Sequence, residues 1–192
     1  MDLVLASGSP RRAELLKRLG VPYRVIVSEV PEGKLLPPWL QCVQELAYRK
    51  AQAVASFTGE VVLAADTIVV KNDKVLGKPR DQEDAERMLT FLSGNVHEVF
   101  TGICVINCLT KQVWQDVEVT KVYFRPLTAE EIKAYLASSE PLDKAGAYGI
   151  QGLGSLLIEK IEGCYYNVVG LPLVKTMTLL RKCGVRILGG ET

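Results

Sequence analysis

Residues 6–12 of this 192-residue chain read Ala6-Ser7-Gly8-Ser9-Pro10-Arg11-Arg12. The apolar run at 3–6 predicts a short buried strand, and leucines at helical spacing over 15–19 predict a helix. Ser9 is a good helix N-cap, and Pro10 suits the first helical position because its missing N–H would have no partner there. The stretch is therefore predicted to be a strand-to-helix turn.

This turn gathers groups that bind anions. Backbone N–H groups, small hydroxyls and two guanidinium groups follow directly on a strand end, where the positive end of a helix dipole also points. Arginine forks match phosphate oxygens, so the pattern indicates a phosphate site that includes Arg11 and Arg12. A capped helix with both arginines in solvent explains the same residues equally well.

The remaining elements follow from hydrophobic periodicity and from turn residues. A hairpin turn is expected at 71–74, and two long strands that follow it are expected to pair in antiparallel fashion. Strands are predicted at 23–27, 60–70, 96–107, 112–124 and 155–161, and helices at 39–57, 81–92, 128–136 and 172–183.

Composition excludes several classes of protein. The net charge of +1 and the aromatic content of 7% argue against a nucleic-acid-binding module. The sequence has no apolar run of membrane-spanning length and no signal-type start, so we expect a cytoplasmic protein without a membrane partner. Its length suits one domain over 1–192.

Cysteine and histidine usage excludes several kinds of site. The five cysteines are odd in number and scattered without paired spacing, so neither a disulfide framework nor a zinc site is supported. His97 is the only histidine. It is expected to be a hydrogen-bonded structural residue rather than a catalyst.

One acid and one lysine occupy positions that pattern alone predicts to be apolar. Asp66 interrupts the apolar strand at 60–70, where an ionised carboxylate needs a cation, a metal ion or several donors. It is a candidate general base or metal ligand, or else a structural hydrogen-bonding residue. Lys50 falls within the apolar stripe of the helix at 39–57. Its ammonium group either extends to solvent or reaches the anion site.

A glycine-rich stretch at 143–154 contains four glycines within nine residues. Glycine lets the backbone approach a ligand closely, although the same composition also fits a flexible loop. Gln151 offers both an amide donor and a carbonyl acceptor, which suits recognition of a base edge. Lys78 lies in another short loop, Gly77-Lys78-Pro79.

Together these motifs resemble the Maf family of nucleoside triphosphate pyrophosphatases. The resemblance rests on Ala-Ser-Gly-Ser-Pro-Arg-Arg at 6–12, Ala-Ala-Asp-Thr at 64–67, Gly-Lys-Pro at 77–79, Leu-Ser-Gly at 92–94 and Asp-Lys-Ala-Gly-Ala-Tyr-Gly-Ile-Gln-Gly at 143–152. The motifs occur in order over nearly the whole chain. The resemblance implies an α/β fold like that of inosine triphosphate pyrophosphatases, with a mixed, strongly bent sheet flanked by helices and two lobes around a central cleft.

The resemblance also implies an activity and a set of site residues. The activity is hydrolysis of a nucleoside triphosphate to the monophosphate and pyrophosphate, in the branch that prefers dTTP and UTP. Modified pyrimidine nucleotides, a house-cleaning or cell-division role and a homodimer are further expectations. The implied catalytic residues are Asp66, Lys78 and Glu32, and the substrate-binding residues are Ser7, Arg11, Arg12, Lys50, Thr67 and Gln151.

A divalent cation, Mg²⁺ or Mn²⁺, is the expected cofactor, with Asp66 and Glu32 as its ligands. Glu32 shares a proline- and glycine-rich loop with Glu29, and the sequence does not fix which of the two contributes. Asp66 is expected to take a proton from the water that attacks the α-phosphorus, or to serve chiefly as a metal ligand. The competing interpretation is a nucleotide-binding regulator of cell division that does not turn over its ligand.

Overall fold

A computed structural model describes residues 2–31, 33, 35–138 and 140–189. The strands are β1 (Leu3–Leu5), β2 (Tyr23–Val25), β3 (Val61–Lys71), β4 (Lys74–Leu76), β5 (Val96–Asn107), β6 (Gln112–Phe124) and β7 (Ile158–Glu162). The helices are α1 (Pro10–Lys17), α2 (Trp39–Ala55), α3 (Gln82–Leu92), α4 (Ala129–Leu136), α5 (Tyr165–Val169) and α6 (Leu173–Lys182).

The strands form one mixed sheet, which confirms the α/β class. Its order is β2-β1-β3-β5-β6-β7, with β4 paired to β3. Strand β1 runs parallel to both β2 and β3, whereas the β3–β4 and β6–β7 pairs are antiparallel. The hairpin predicted at 71–74 is present, because Asn72 and Asp73 adopt the positive φ angles, 49° and 55°, that a two-residue turn of this hand requires.

The chain divides into two compact units. The first consists of Met1–Asp66, Thr101–Glu118 and Gly170–Thr192, and the second of Thr67–Phe100 and Val119–Val169. None of the helices in the described part of the chain has the length and apolar character that crossing a membrane requires.

Each unit has its own apolar core. In the first unit, α2 packs on the sheet through small and β-branched side chains, including Ala47, Ala51 and Val54 against Val62 and Ala64. In the second unit, helices α3 and α4 pack with β5, β6 and the aromatic side chain of Tyr148 from the glycine-rich stretch. Residues this small allow a helix and a sheet to approach closely, which matters for the position of α2.

The N-cap of α1 differs from the sequence prediction. Ser9 is the N-cap residue by position, but its side chain makes no capping hydrogen bond with any described residue. Its backbone N–H instead donates to Ser7 Oγ at 3.2 Å. The helix ends at Lys17, and Gly20 lies beyond it with a φ of +69°. The side chain of Ser7, rather than that of Ser9, therefore accepts the backbone hydrogen bond in this turn.

The C-terminal third differs from the sequence prediction in two places. The strand expected at 155–161 begins only at Ile158, because Gly152–Leu157 forms a 3₁₀ turn. The short helix α5 occupies residues that the periodicity left unassigned. The predicted bounds of β5 and β6 match the structure, and the other helices and strands lie within two residues of their predicted ends.

Candidate functional site

The turn after β1 is held by one buried hydroxyl. Ser7 is only 8% exposed. Its Oγ accepts hydrogen bonds from the Ser9 N–H and from Arg12 Nη1, each at 3.2 Å. Arg12 Nε also donates to the carbonyl oxygen of Gly170 at 2.9 Å. The guanidinium group of Arg12 is therefore fixed in place at the start of α1, so an anion that binds it does not have to order it first.

This arrangement favours the anion-binding interpretation of the turn. Arg12 is half-buried and bonded on two sides, which excludes the alternative in which its guanidinium group is freely solvated. Arg11 is also half-buried and has interactions of its own. The N-terminus of an eight-residue helix adds its partial positive charge at the same place.

Asp66 projects from the middle of β3 rather than from a strand end. Side chains alternate along a strand, so Asp66 shares a face with Val62 and Ala64, both of which pack against α2. That face is dry, and Asp66 is only 4% exposed. Asp66 was predicted to lie in a buried strand, and in the structure its side chain faces α2, the helix that carries Lys50.

Lys50 and Asp66 form an ion pair. The Nζ of Lys50 donates to Asp66 Oδ1, and the side chains are 14% and 5% exposed, respectively. Lys50 therefore does not extend to solvent, and Asp66 has the cation that a buried carboxylate needs. Lys50 follows Ala47 by three residues and precedes Ala51 by one, so the stripe that packs α2 on the sheet also aims this lysine at the acid.

The strand register relates the turn to the ion pair. Leu5 of β1 pairs with Leu63 of β3, and the Ala6 N–H continues the ladder to the Leu63 carbonyl oxygen at 2.7 Å. The chain leaves the sheet after Ala6, beside the part of β3 that leads to Asp66. The first unit thus brings arginine, lysine, a helix N-terminus and one acid to the carboxyl end of β1, the usual position of ligand sites in open α/β sheets.

Three predicted site residues belong to the second unit, and each is described there separately. Thr67 follows Asp66 on β3 and is half-buried. Lys78 is exposed, on a loop whose Gly77 carbonyl oxygen accepts the Gly146 N–H at 3.0 Å. Gln151 is half-buried between two 3₁₀ turns. Their roles in binding stay predictions.

The predicted metal ligands are only partly within the described structure. Glu32 lies outside the described residues, and the neighbouring candidate Glu29 is exposed. The described residues contain no cluster of three or more side chains that could hold a metal ion. One buried carboxylate, Asp66, nevertheless fits Mg²⁺, which proteins usually bind through one or two carboxylates together with substrate phosphates and water. The donor set suits an ion that arrives with a polyphosphate.

Sequence reasoning missed several residues that support these side chains. Gly170 contributes only a carbonyl oxygen, which no side-chain motif can reveal. Tyr135 and Glu140 hold the backbone on both sides of Gln151, as described below. A long-range contact of this kind leaves no local pattern, although the dense glycines at 149–154 were an indirect sign of close packing.

Comparisons with known proteins bear on the family of this chain. The family model described as Maf-like protein matches residues 2–183. A dTTP/UTP pyrophosphatase of Carboxydothermus hydrogenoformans is 51% identical over 185 residues, which cover 96% of this chain and 100% of the relative. One of Moorella thermoacetica is 52% identical over 190 residues, 97% of each chain.

Among solved structures, a HAM1 protein from Coxiella burnetii superposes with a TM-score of 0.56 at 16% identity, covering 95% of this chain and 99% of that one. At that identity the likeness concerns the fold alone, and it agrees with the predicted architecture. The match of the family model over almost the full length, together with relatives near 50% identity, shows that this chain belongs to the Maf family.

Proposed function

We propose that the protein hydrolyses dTTP and UTP to the nucleoside monophosphate and pyrophosphate. The observation that carries the proposal is the buried Lys50–Asp66 pair beside the Arg12 turn, which supplies cations for a polyphosphate and one acid in a dry setting. Eight relatives at 46–52% identity bear the name dTTP/UTP pyrophosphatase.

Each site residue of the first unit has a chemical role in this reaction. Arg12 and the backbone of the turn bind phosphate oxygens and offset the charge that develops on them. Asp66 accepts a proton from a water molecule as that water attacks the α-phosphorus. The bond from the α-phosphorus to the bridging oxygen breaks, and its electron pair leaves with pyrophosphate. Lys50 offsets the charge of the buried Asp66 carboxylate and orients it.

A bound Mg²⁺ or Mn²⁺ would be held by Asp66, with Glu32 as a proposed second ligand, and would supply charge neutralisation at the phosphate oxygens. Catalysis by Lys78 and substrate binding by Ser7, Arg11, Thr67 and Gln151 are proposals of the same kind, each supported by the family motif in which the residue stands. A homodimer, a cytoplasmic location and a role in nucleotide house-cleaning or septum formation are also proposals supported by the resemblance.

The test is pyrophosphate release from a panel of nucleoside triphosphates in the presence of Mg²⁺. We expect UTP and dTTP to be the best substrates of the wild-type protein. Asp66→Asn should reduce kcat by about 10²- to 10⁴-fold, the range expected for removal of a general base. Glu130→Gln, which changes an exposed carboxylate at the start of α4, is the matched control. Nucleotide binding without pyrophosphate release would show that the protein is a sensor rather than an enzyme.

A further inference from the structure

The backbone around Gln151 is packed so tightly that only glycine fits at two positions beside it. A Cβ atom on Gly152, whose φ is +63°, would lie 2.3 Å from Glu140 Oε1. A Cβ atom on Gly154 would lie 2.1 Å from the Gly149 carbonyl oxygen and 2.8 Å from the hydroxyl oxygen of Tyr135. The glycines of this stretch therefore do not indicate a flexible loop. They allow the backbone to contact two specific polar side chains.

Those two side chains form hydrogen bonds to the backbone on both sides of the predicted base-reading residue. Before it, the Gly149 N–H donates to the Tyr135 hydroxyl at 3.3 Å. After it, the Leu153 and Gly154 N–H groups donate to the two carboxylate oxygens of Glu140 at 3.0 and 3.2 Å. Tyr135 in turn donates to Glu140 Oε2 at 3.3 Å, which links the hydrogen bonds before Gln151 to those after it.

The support of this pair is rigid. Tyr135 is 5% exposed, and it lies on α4, whose N-terminus carries a complete capping box between Thr128 and Glu131. Burial raises the pKa of Tyr135 above its usual value, so its hydroxyl group stays protonated at physiological pH. Tyr135 thus belongs to the core of the second unit, and the half-buried Glu140 is hydrogen-bonded to it.

Orientation of the Gln151 amide decides which base it can recognise. The edge of uracil or thymine presents a carbonyl acceptor at position 4 and an N–H at position 3, whereas cytosine presents an amino donor and an acceptor there. An amide carries a donor and an acceptor at its two ends, so a freely rotating glutamine pairs with either pattern. Selectivity for uracil and thymine over cytosine requires that the side-chain amide of the glutamine be held in one of its two orientations.

We propose that Tyr135 and Glu140 are positioning residues for substrate specificity: they fix the backbone on both sides of Gln151 so that its amide matches uracil and thymine and not cytosine. This inference rests on the proposed function and deepens it. Neither residue is assigned a contact with the substrate, and both act through Gln151.

The test compares the specificity ratio, kcat/KM for UTP divided by kcat/KM for CTP, among variants. Glu140→Gln keeps the size of the side chain but leaves one acceptor oxygen where two N–H groups need two. Tyr135→Phe removes the acceptor of the Gly149 N–H. Each variant should lower the specificity ratio about tenfold, the effect expected when a hydrogen bond that sets recognition is lost. The kcat for UTP should stay within about threefold of the wild-type value, since the phosphate-binding residues are unchanged.

A double-mutant cycle separates positioning from general damage. Gln151→Ala should lower the specificity ratio by itself, and adding Glu140→Gln to it should produce no further loss, because the second residue acts only through the first. Glu130→Gln is again the control and should keep the wild-type ratio. Thermal unfolding of every variant identifies any that fail to fold. If Glu140→Gln fails to fold, Tyr135→Phe takes its place in the cycle.

Three results would overturn the inference. They are an unchanged ratio in folded Glu140→Gln and Tyr135→Phe, additive losses in the double variant, and a Gln151→Ala variant that discriminates as well as the wild type. The proposed function fails differently, because the wild-type protein would then release no pyrophosphate from UTP. The two failures are therefore distinguishable in one set of assays.

Discussion

Gly102→Ala is expected to displace the helix that carries Lys50. Gly102 lies on β5, where the backbone of α2 crosses it so closely that an added Cβ atom would be 2.2 Å from the Val43 carbonyl oxygen and 2.5 Å from the Val43 carbonyl carbon. Both obstacles are backbone atoms, so no side chain can rotate away. Ordinary contact begins at 3.4 Å, so the helix and the strand must separate by about 1.2 Å.

The displacement has a cost in stability and a cost in rate. Overpacking of a well-packed core typically costs about 1–3 kcal/mol, which corresponds to a Tm lowered by roughly 2–12 °C in a chain of this length. Lys50 follows Val43 by seven residues, two turns along the same helix, so a shift of α2 also moves its ammonium group away from Asp66. A misplacement of about 1 Å can reduce turnover on the order of 10²-fold.

The assay combines thermal unfolding with pyrophosphate release from UTP. Gly59→Ala is the matched control, because a Cβ atom there meets nothing within 4 Å. That variant should behave as the wild-type protein does. A Gly102→Ala protein with a wild-type Tm and a kcat within about twofold of the wild-type value would refute the reasoning that the close approach of α2 positions Lys50.

Two further predictions concern buried charge. Lys50→Met should destabilise the protein by about 3–5 kcal/mol in urea unfolding, because it leaves the Asp66 carboxylate buried without its cation. Adding Asp66→Asn to Lys50→Met should recover much of that loss, and equal stability of the single and double variants would contradict this. His97→Gln should flatten the pH dependence of stability. Burial, and secondarily the charge of Lys71, lowers the pKa of His97 to about 3. Between about pH 6.5 and 3 the unfolded chain therefore binds a proton that the folded chain does not, and the wild-type protein should lose up to about 1.4 kcal/mol more per pH unit of acidification than the variant does. Parallel stability curves over that range would refute the assignment.

His97 also shows what the sequence could establish and what it could not. A lone histidine in a strand was correctly predicted to be a hydrogen-bonded structural residue, and its Nε2 lies 2.7 Å from the Tyr148 hydroxyl oxygen. The partner is 51 residues away, and no periodicity links the two positions. Local rules predict that a buried polar group needs a partner, but long-range packing chooses which one.

The same distinction separates correct element predictions from wrong ones. β6 was predicted at the residues it occupies, because two long β-rich stretches joined by a short connection are typical of an antiparallel pair. The strand predicted at 155–161 failed because residues 155–157 belong to a 3₁₀ turn, next to a backbone that Glu140 holds by hydrogen bonds. Tertiary contacts override local propensity where glycines let the chain turn.

In the first unit, the sequence identified Lys50 and Asp66 as unusual but left the role of each open. The helical stripe placed Lys50 towards the sheet, and the apolar run placed Asp66 within it, so both belonged to the interior. Their pairing depends on how α2 lies across β3, which follows from small residues at the interface rather than from either motif. A local sequence pattern gives the residue types but does not determine how a helix packs across a sheet.

The position of the acid in the middle of β3 has a consequence for motion. Strand β3 is 11 residues long and lies between β1 and β5, so its amides are among the last to open to solvent. Hydrogen exchange should therefore be slowest around Ala64–Asp66 and faster at the exposed loop of Lys78. An acid carried on so stiff a strand stays still while nucleotide binds and leaves, and any adjustment during turnover falls to less deeply buried segments of the chain.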